Sequence, residues 1–294
     1  MFDITGADIA SLNDTDLRTL VARLAQAELS ARRAPISSVT AGGAQDAADG
    51  GIDVRVDQAA LHADPDFVPR AKTGFQVKKP DLAAQGIKDE MRPGGVLRPS
   101  IAALAEAGGA YVIASSGASL TDTTLERRRA AMRQAVADHP SAGNLFVDVY
   151  DRDRLATWVN QNPGVAAWVR RRSGRPLSGW RPIGAWRDLR VTDDNGYLID
   201  DALSLIDERD RARTLPIPEG MGLLRQALHA PRECVRLIGL SGVGKTRLVE
   251  ALFEADVGDG TPLDPGLSVY ADYAEETTPA AREMASRLVE DGLR

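Results

Sequence analysis

Ala110-Tyr111-Val112-Ile113-Ala114, a charged helical pattern over 121–138, and then Leu145-Phe146-Val147-Asp148-Val149-Tyr150 form the stretch that decides the fold class. The first run is apolar, unbroken and too short for a globular helix, so it reads as a buried strand. The last run is a second strand, rich in β-branched and aromatic residues. Upstream, helical patterns cover 81–91 and 98–107, and Phe75-Gln76-Val77-Lys78 is a short strand. An irregular segment, 57–73, separates it from Ile52-Asp53-Val54-Arg55-Val56, which alternates as a strand does. A polar, glycine-rich stretch (40–51) precedes that. Residues 14–33 are an amphipathic helix, with Asn13 or Asp14 as its cap and Leu17, Leu20, Val21, Leu24 and Ala27 at helical spacing. Helices at 151–161 and 164–172 close the region. Helix, strands, helix, strand, helix, strand is the order of an α/β domain, placed at residues 1–172.

From Ser173 the composition turns to Gly, Pro and Trp, and 173–214 reads as a connector with helix near 200–208. Trp158, Trp168, Trp180 and Trp186 are expected to anchor the connector on the first domain; stacking on nucleic-acid bases is the alternative. From residue 215 a third region begins. In it the strand Val235-Arg236-Leu237-Ile238 leads into Gly239-Leu240-Ser241-Gly242-Val243-Gly244-Lys245-Thr246 and a helix to Phe253. This is G-x-x-x-x-G-K-T in a strand–loop–helix setting, a P-loop. Its glycines, with Val243 between them, let backbone N–H groups wrap phosphate at the helix N-terminus. Lys245 reaches the β- and γ-phosphates, and Thr246 offers its hydroxyl to Mg²⁺, so ATP with Mg²⁺ is the expected ligand.

Hydrolysis needs more than a P-loop. Leu267-Ser268-Val269-Tyr270-Ala271-Asp272 is expected to be the next strand of the core, followed by a helix over 279–292. Asp272 is the one candidate for the magnesium-holding acid. The span after Leu215 is short for an NTPase core. Residues 215–294 are therefore expected to be the N-terminal part of an incomplete P-loop α/β domain in a longer protein, binding nucleotide poorly and not turning it over.

Composition narrows the class. Residues 1–172 carry 21 Lys+Arg and 21 Asp+Glu, so the whole net charge of −6 lies in residues 173–294. The neutral first part still holds two basic clusters, Arg127-Arg128-Arg129 and Arg170-Arg171-Arg172. Each is open to two readings, phosphate contact or a solvated helix face. One cysteine, Cys234, excludes an internal disulfide and fits a reducing, cytoplasmic setting. His62, His139 and His229 have no metal-ligand spacing with it. No apolar run approaches the ~20 residues of a bilayer span, and the N-terminus lacks a signal-peptide pattern.

The first domain carries a hydrolytic constellation. Phosphodiester cleavage of the restriction type uses acidic ligands for Mg²⁺ and a lysine beside the attacking water. Strand alternation puts Gln76 and Lys78 on one face while Phe75 and Val77 point to the core. On the preceding strand Ile52, Val54 and Val56 are expected to share the buried face, leaving Asp53 toward the other. Gln76 brings a neutral amide where a second carboxylate would stand. At ~4 Å and an effective dielectric near 20, that forfeits several kcal/mol of attraction for a cation. A further acid should compensate. Glu28, on the apolar stripe of the first helix, is the expected one; a pair with Arg32 four residues on is the alternative.

Asp53 with Gln76-x-Lys78, after a helix bearing Glu28, resembles the PD-(D/E)xK nuclease superfamily in its Mrr-like branch, where Gln often takes the second acidic position. With the connector and GLSGVGKT, the chain looks like the N-terminal part of a bacterial antiviral STAND ATPase of the Avs kind. The resemblance implies a restriction-endonuclease-like αβββαβ domain with Glu28, Asp53 and Gln76 on Mg²⁺ and Lys78 positioning water. It implies cleavage of double-stranded DNA, and a tetramer formed once C-terminal repeats sense a phage protein. The chain departs from the family in lacking sensor, second acidic strand and repeats. The alternative is an ATP-dependent switch whose first domain only binds nucleic acid or a protein partner, with Asp53 and Lys78 as a structural ion pair.

Overall fold

The computed structural model describes residues 3–32, 34–41, 51–60, 66–176, 179–183, 203–208, 213–230, 233–254, 256–271, 280 and 283. The chain divides into two units, Met1–Leu177 and Ser178–Arg294.

The first unit is mixed α/β around one five-stranded sheet. Its strands, β1 (Val39–Ala41), β2 (Val54–Asp57), β3 (Lys72–Lys78), β4 (Ala110–Ser115) and β5 (Phe146–Tyr150), lie side by side in chain order. β1, β2 and β3 pair antiparallel, whereas β3, β4 and β5 pair parallel. The parallel pairs need crossovers, and the helices expected at 81–91, 98–107 and 121–138 supply them. They are α3 (Ala84–Met91), α4 (Pro99–Glu106) and α5 (Asp122–Val136). Two elements were not legible in the sequence: β1, and a short first helix α1 (Gly6–Ser11) closed by a Thr5–Asp8 capping box. The amphipathic helix is α2 (Asp14–Ala31), with Asn13 as the cap accepting from Asp16 N. α6 (Arg152–Asn160) and α7 (Pro163–Arg172) complete the unit.

Each face of the sheet has its own core. On one, Phe75 and Tyr150 meet Phe67 and Trp158, whose rings stack at 5.0 Å between centroids. On the other, Ile52, Tyr111 and Ile113 pack against Ile87, Met91, Ile101, Leu104 and Met132 from α3, α4 and α5. Ile52 thus departs from the expected common face with Val54 and Val56. β2 begins only at Val54, and the chain at Gly51 (φ +82°) has already left strand geometry, so alternation does not extend back to Ile52. Gly74 makes room for it: a Cβ there would stand 2.8 Å from Ile52 Cδ1 and 2.9 Å from Leu104 Cδ1.

The second unit contains α8 (Ile217–His229) and α9 (Lys245–Ala251), with two small antiparallel pairs. β6 (Trp180–Pro182) pairs with β9 (Val269–Ala271), and β7 (Ser204–Ile206) with β8 (Thr214–Pro216). Ile217, Met221, Leu248, Ala251, Leu252 and Val257 form its core. Arg225, fully buried, donates to the carbonyls of Ala251, Leu252, Glu254 and Asp259. These carbonyls lie at and beyond the end of α9; those of Ala251 and Leu252 also accept from Glu254 N and Leu263 N, and the guanidinium ties all four together.

Three expectations for this region are corrected. Ser204–Ile206 is strand, not helix. Val235–Ile238 forms no strand: the segment is irregular and exposed except for Leu237, which packs on the core of this unit, and no neighbouring strand among the described residues pairs with it. Val269–Ala271 is a strand, but its partner is β6 from the connector and not the segment before the P-loop. Asp272 and most of 279–292 lie outside the described residues.

Candidate active site

The C-terminal end of β3 is where the chemistry-bearing side chains of the first unit gather. β3 pairs with β2 through Asp53 N–H to Phe75 O, 2.8 Å, after which the β2 chain turns away at Gly51. The next N–H of β3 on that side, Val77 N, has lost its ladder partner. Asp53 Oδ2 accepts from it at 2.7 Å. A strand N–H lies in the plane of the sheet, so the Asp53 carboxylate lies there too, between the two layers and not on one face as alternation suggested. Its other oxygen, Oδ1, sits 3.2 Å from Arg18 Nε of α2.

Gln76 and Lys78 share a face, as expected, and meet on Glu90 of α3. The Gln76 side chain is buried. Glu90 offers only acceptors, so the amide nitrogen faces it, and the amide oxygen receives the Tyr111 hydroxyl. Lys78 Nζ lies 3.1 Å from Glu90 Oε2. Arg98 completes the knot, with Nη2 2.9 Å from Glu90 Oε1 and Nε 2.7 Å from the Glu90 carbonyl. The Gly51 turn accommodates this arginine; a Cβ there would come within 2.6 Å of Arg98 Cδ.

Electrostatics follow from these contacts. Burial pushes the Glu90 carboxyl up, but hydrogen bonds from Lys78 and Gln76 and the charges of Lys78 and Arg98 outweigh it and hold the group below its ordinary value. Burial, and then the Glu90 charge, push the Tyr111 hydroxyl far above the usual tyrosine value, so it stays a donor. The charge of Asp53 adds to that rise.

Glu28 does not join this group. Its Oε1 accepts from Val68 N at 2.9 Å and meets Arg32 Nη2 at 2.6 Å, so the pair with Arg32 is the arrangement that forms. From Arg18, beside Asp53, the helix rises about 15 Å to Glu28. Burial raises the Glu28 carboxyl, the Val68 N–H and Arg32 lower it in part, and Asp66 adds to the rise. Asp53 and Lys78 are not paired with one another either; their ionic partners are Arg18 and Glu90. Glu90 itself was missed in the sequence, where its one signal was a position beside Met91 and three after Ile87, on the flank of the buried stripe of α3.

The donor chemistry suits a hard divalent cation. Asp53, Glu90 and the Gln76 amide oxygen are all oxygen donors, and Mg²⁺ takes one or two carboxylates while keeping several waters. Among the described residues no group of three or more His, Cys, Asp or Glu side chains assembles for a metal. Asp53 and Glu90 are the carboxylates near this end of β3, and the Gln76 amide oxygen, which accepts the Tyr111 hydroxyl, keeps one lone pair for a further partner.

The basic clusters are largely spoken for. Arg128 is buried against Asp81 at 2.7 Å, and Arg129 binds Asp148 and Glu126, each at 2.7 Å. Arg170, Arg171 and Arg172 occupy the last turn of α7, where cations suit the helix dipole, and Arg172 also lies 3.5 Å from Asp16. Trp158 and Trp168 are core residues of the first unit, Trp180 lies in β6, and Trp186 is outside the described residues.

In the second unit, the loop before α9 has the left-handed glycines its motif requires: Gly242 at φ +85° and Gly244, the N-cap, at +82°. Lys245 Nζ folds back to donate to Gly239 O at 2.9 Å and Leu240 O at 2.6 Å. Val243 and Thr246 are exposed. No helix among the described residues is long and apolar enough to cross a membrane. No protein-family model, curated protein or solved structure matches this chain.

Proposed function

We propose that the first unit is a magnesium-dependent DNA endonuclease of the restriction-endonuclease-like kind, fused to a regulatory ATP-binding module of the STAND type and serving anti-phage defence in the cytoplasm. The observation that carries this reading is the gathering of Asp53, Gln76 and Lys78 at one end of β3, with Gln76 and Lys78 bound to a common carboxylate.

In this reading Asp53 and the Gln76 oxygen would hold Mg²⁺. When bound, the ion supplies positive charge to the scissile phosphate and lowers the pKa of water. Lys78, released from Glu90, places its ammonium beside the attacking water and the phosphate oxygens. Water oxygen bonds to phosphorus and gives up a proton to solvent, the bond to the departing sugar oxygen breaks, and that oxygen takes up a proton from solvent. Arg18 and Arg98 stand at the rim as partners for the DNA backbone. The P-loop, with Lys245 shifting from its own carbonyls to the phosphates, supplies the nucleotide-dependent switch; a phage protein is the trigger in this reading, and a tetramer the active assembly.

The test is supercoiled-plasmid cleavage by the 294-residue chain in Mg²⁺, with and without chelator, for wild type and Lys78→Ala. Expected is chelator-sensitive nicking or linearisation, reduced about a hundredfold or more by the substitution. Cleavage indifferent to Lys78 would refute the assignment. Plasmid binding with no cleavage in any divalent cation would favour the switch reading, in which the first unit only binds.

A further inference from the structure

Gln76 creates a deficit that Glu28 does not fill. A neutral amide replaces a carboxylate at the end of β3, and Glu28 is held by Val68 N–H and Arg32, about a 15 Å helical rise along α2 from Arg18, the partner of Asp53. Another acid stands where the deficit is. Glu90 projects from the last turn of α3 toward the C-terminal end of β3. Its carboxylate takes a hydrogen bond from the Gln76 amide and lies 3.1 Å from Lys78 Nζ. The two β3 residues with the chemistry therefore face one carboxylate, and that carboxylate comes from a different segment than the sequence suggested. Its side chain is about one-fifth exposed, enough to exchange a protein partner for an ion.

Resting on the nuclease reading of this site, we propose that Glu90 is the second carboxylate of the cation site, acting with Asp53; the Gln76 amide oxygen, which keeps the Tyr111 hydroxyl on one lone pair, is the neutral third donor through the other. The ligand is a hard divalent cation, Mg²⁺ or Mn²⁺, which two carboxylates and one amide oxygen suffice to hold when water fills the other positions. Without the ion, Arg18 neutralises Asp53, while Lys78 and Arg98 neutralise Glu90. With a cation bound, the Glu90 carboxylate would turn its charge to the ion, and Lys78 would lose its resting partner. One residue thereby couples the cation to the lysine: Glu90 releases the ammonium in the same event that recruits the ion.

The experiment measures Mn²⁺ binding to the 294-residue chain by the loss of free-Mn²⁺ paramagnetic resonance signal, independently of any cleavage. Four variants are compared with wild type: Glu90→Gln, Glu90→Asp, Asp53→Asn and Glu28→Gln, each checked by its thermal melt. Glu90→Gln keeps the volume and an acceptor for Lys78 and Arg98, and Glu90→Asp keeps the charge. Expected is a tenfold or greater weakening in Glu90→Gln and in Asp53→Asn, partial recovery in Glu90→Asp, and wild-type binding in Glu28→Gln. Wild-type binding in Glu90→Gln alongside weakened binding in Asp53→Asn would overturn the proposal and leave the nuclease reading intact. Weakening in Glu28→Gln equal to that in Asp53→Asn would restore Glu28 and overturn it likewise. A wild-type chain that takes up no Mn²⁺ and cuts no DNA would remove both this proposal and the reading beneath it.

Discussion

Replacing Asp53 by alanine and by asparagine separates two roles of that carboxylate. In the structure it is a ladder substitute, taking the Val77 N–H at 2.7 Å where β2 has turned away. Alanine removes a charged acceptor from a strand N–H whose residue is otherwise buried, a loss of about 1.5–3 kcal/mol. The contact with Arg18 adds little, about 0–1 kcal/mol, since those side chains are 30% and 20% exposed. Asp53→Ala should thus cost about 2–3 kcal/mol, whereas Asp53→Asn keeps an acceptor oxygen and should cost about 1 kcal/mol. For a unit of this size each kcal/mol moves the melting temperature by about 2–4 °C. The expected fall is about 5–10 °C for alanine and about 2–4 °C for asparagine, read by circular dichroism. DNA cleavage should be lost in both, because neither side chain is a carboxylate. Equal destabilisation by the two substitutions would refute the ladder argument, and full cleavage by Asp53→Asn would refute the catalytic one.

Glu28 gives a pH-dependent expectation. Its carboxyl is raised by burial, so its contribution to stability is present below the unfolded-state pKa and is lost as pH rises through the folded value. Glu28→Gln should therefore gain on wild type as pH rises from about 4 to 7; denaturant midpoints at the two ends check this, and a variant that loses ground to wild type as pH rises would contradict it. For the second unit, weak ATP binding that depends on Lys245 is expected, with no turnover. Turnover on the order of 1 s⁻¹ abolished by Lys245→Ala would contradict this and make Asp272 a catalytic candidate.

What the sequence by itself determined is local and periodic. The apolar run at 110–114, the helical stripe of 14–33 and the strand at 145–150 each announce their element, because a period of two or of 3.6 is written into consecutive residues. The same logic put Gln76 and Lys78 on one face, and β3 keeps them there. Alternation failed one residue outside a strand: Ile52 and Asp53 took other directions because the chain turns at Gly51, and no local period extends through a turn with positive φ. Pairing is likewise decided elsewhere. Val235–Ile238 has strand composition without a strand, and β9 pairs with a piece of the connector, because a strand exists only through hydrogen bonds to a neighbour distant in sequence. The acid at the candidate site shows the same division most plainly. Glu28 lay on the right helix by pattern but faces Arg32 and Val68. Glu90, undistinguished in sequence, reaches Gln76 and Lys78 only because the parallel crossover lays α3 across the end of β3. Which carboxylate meets which amide is a matter of packing between elements, and only the tertiary structure decides it.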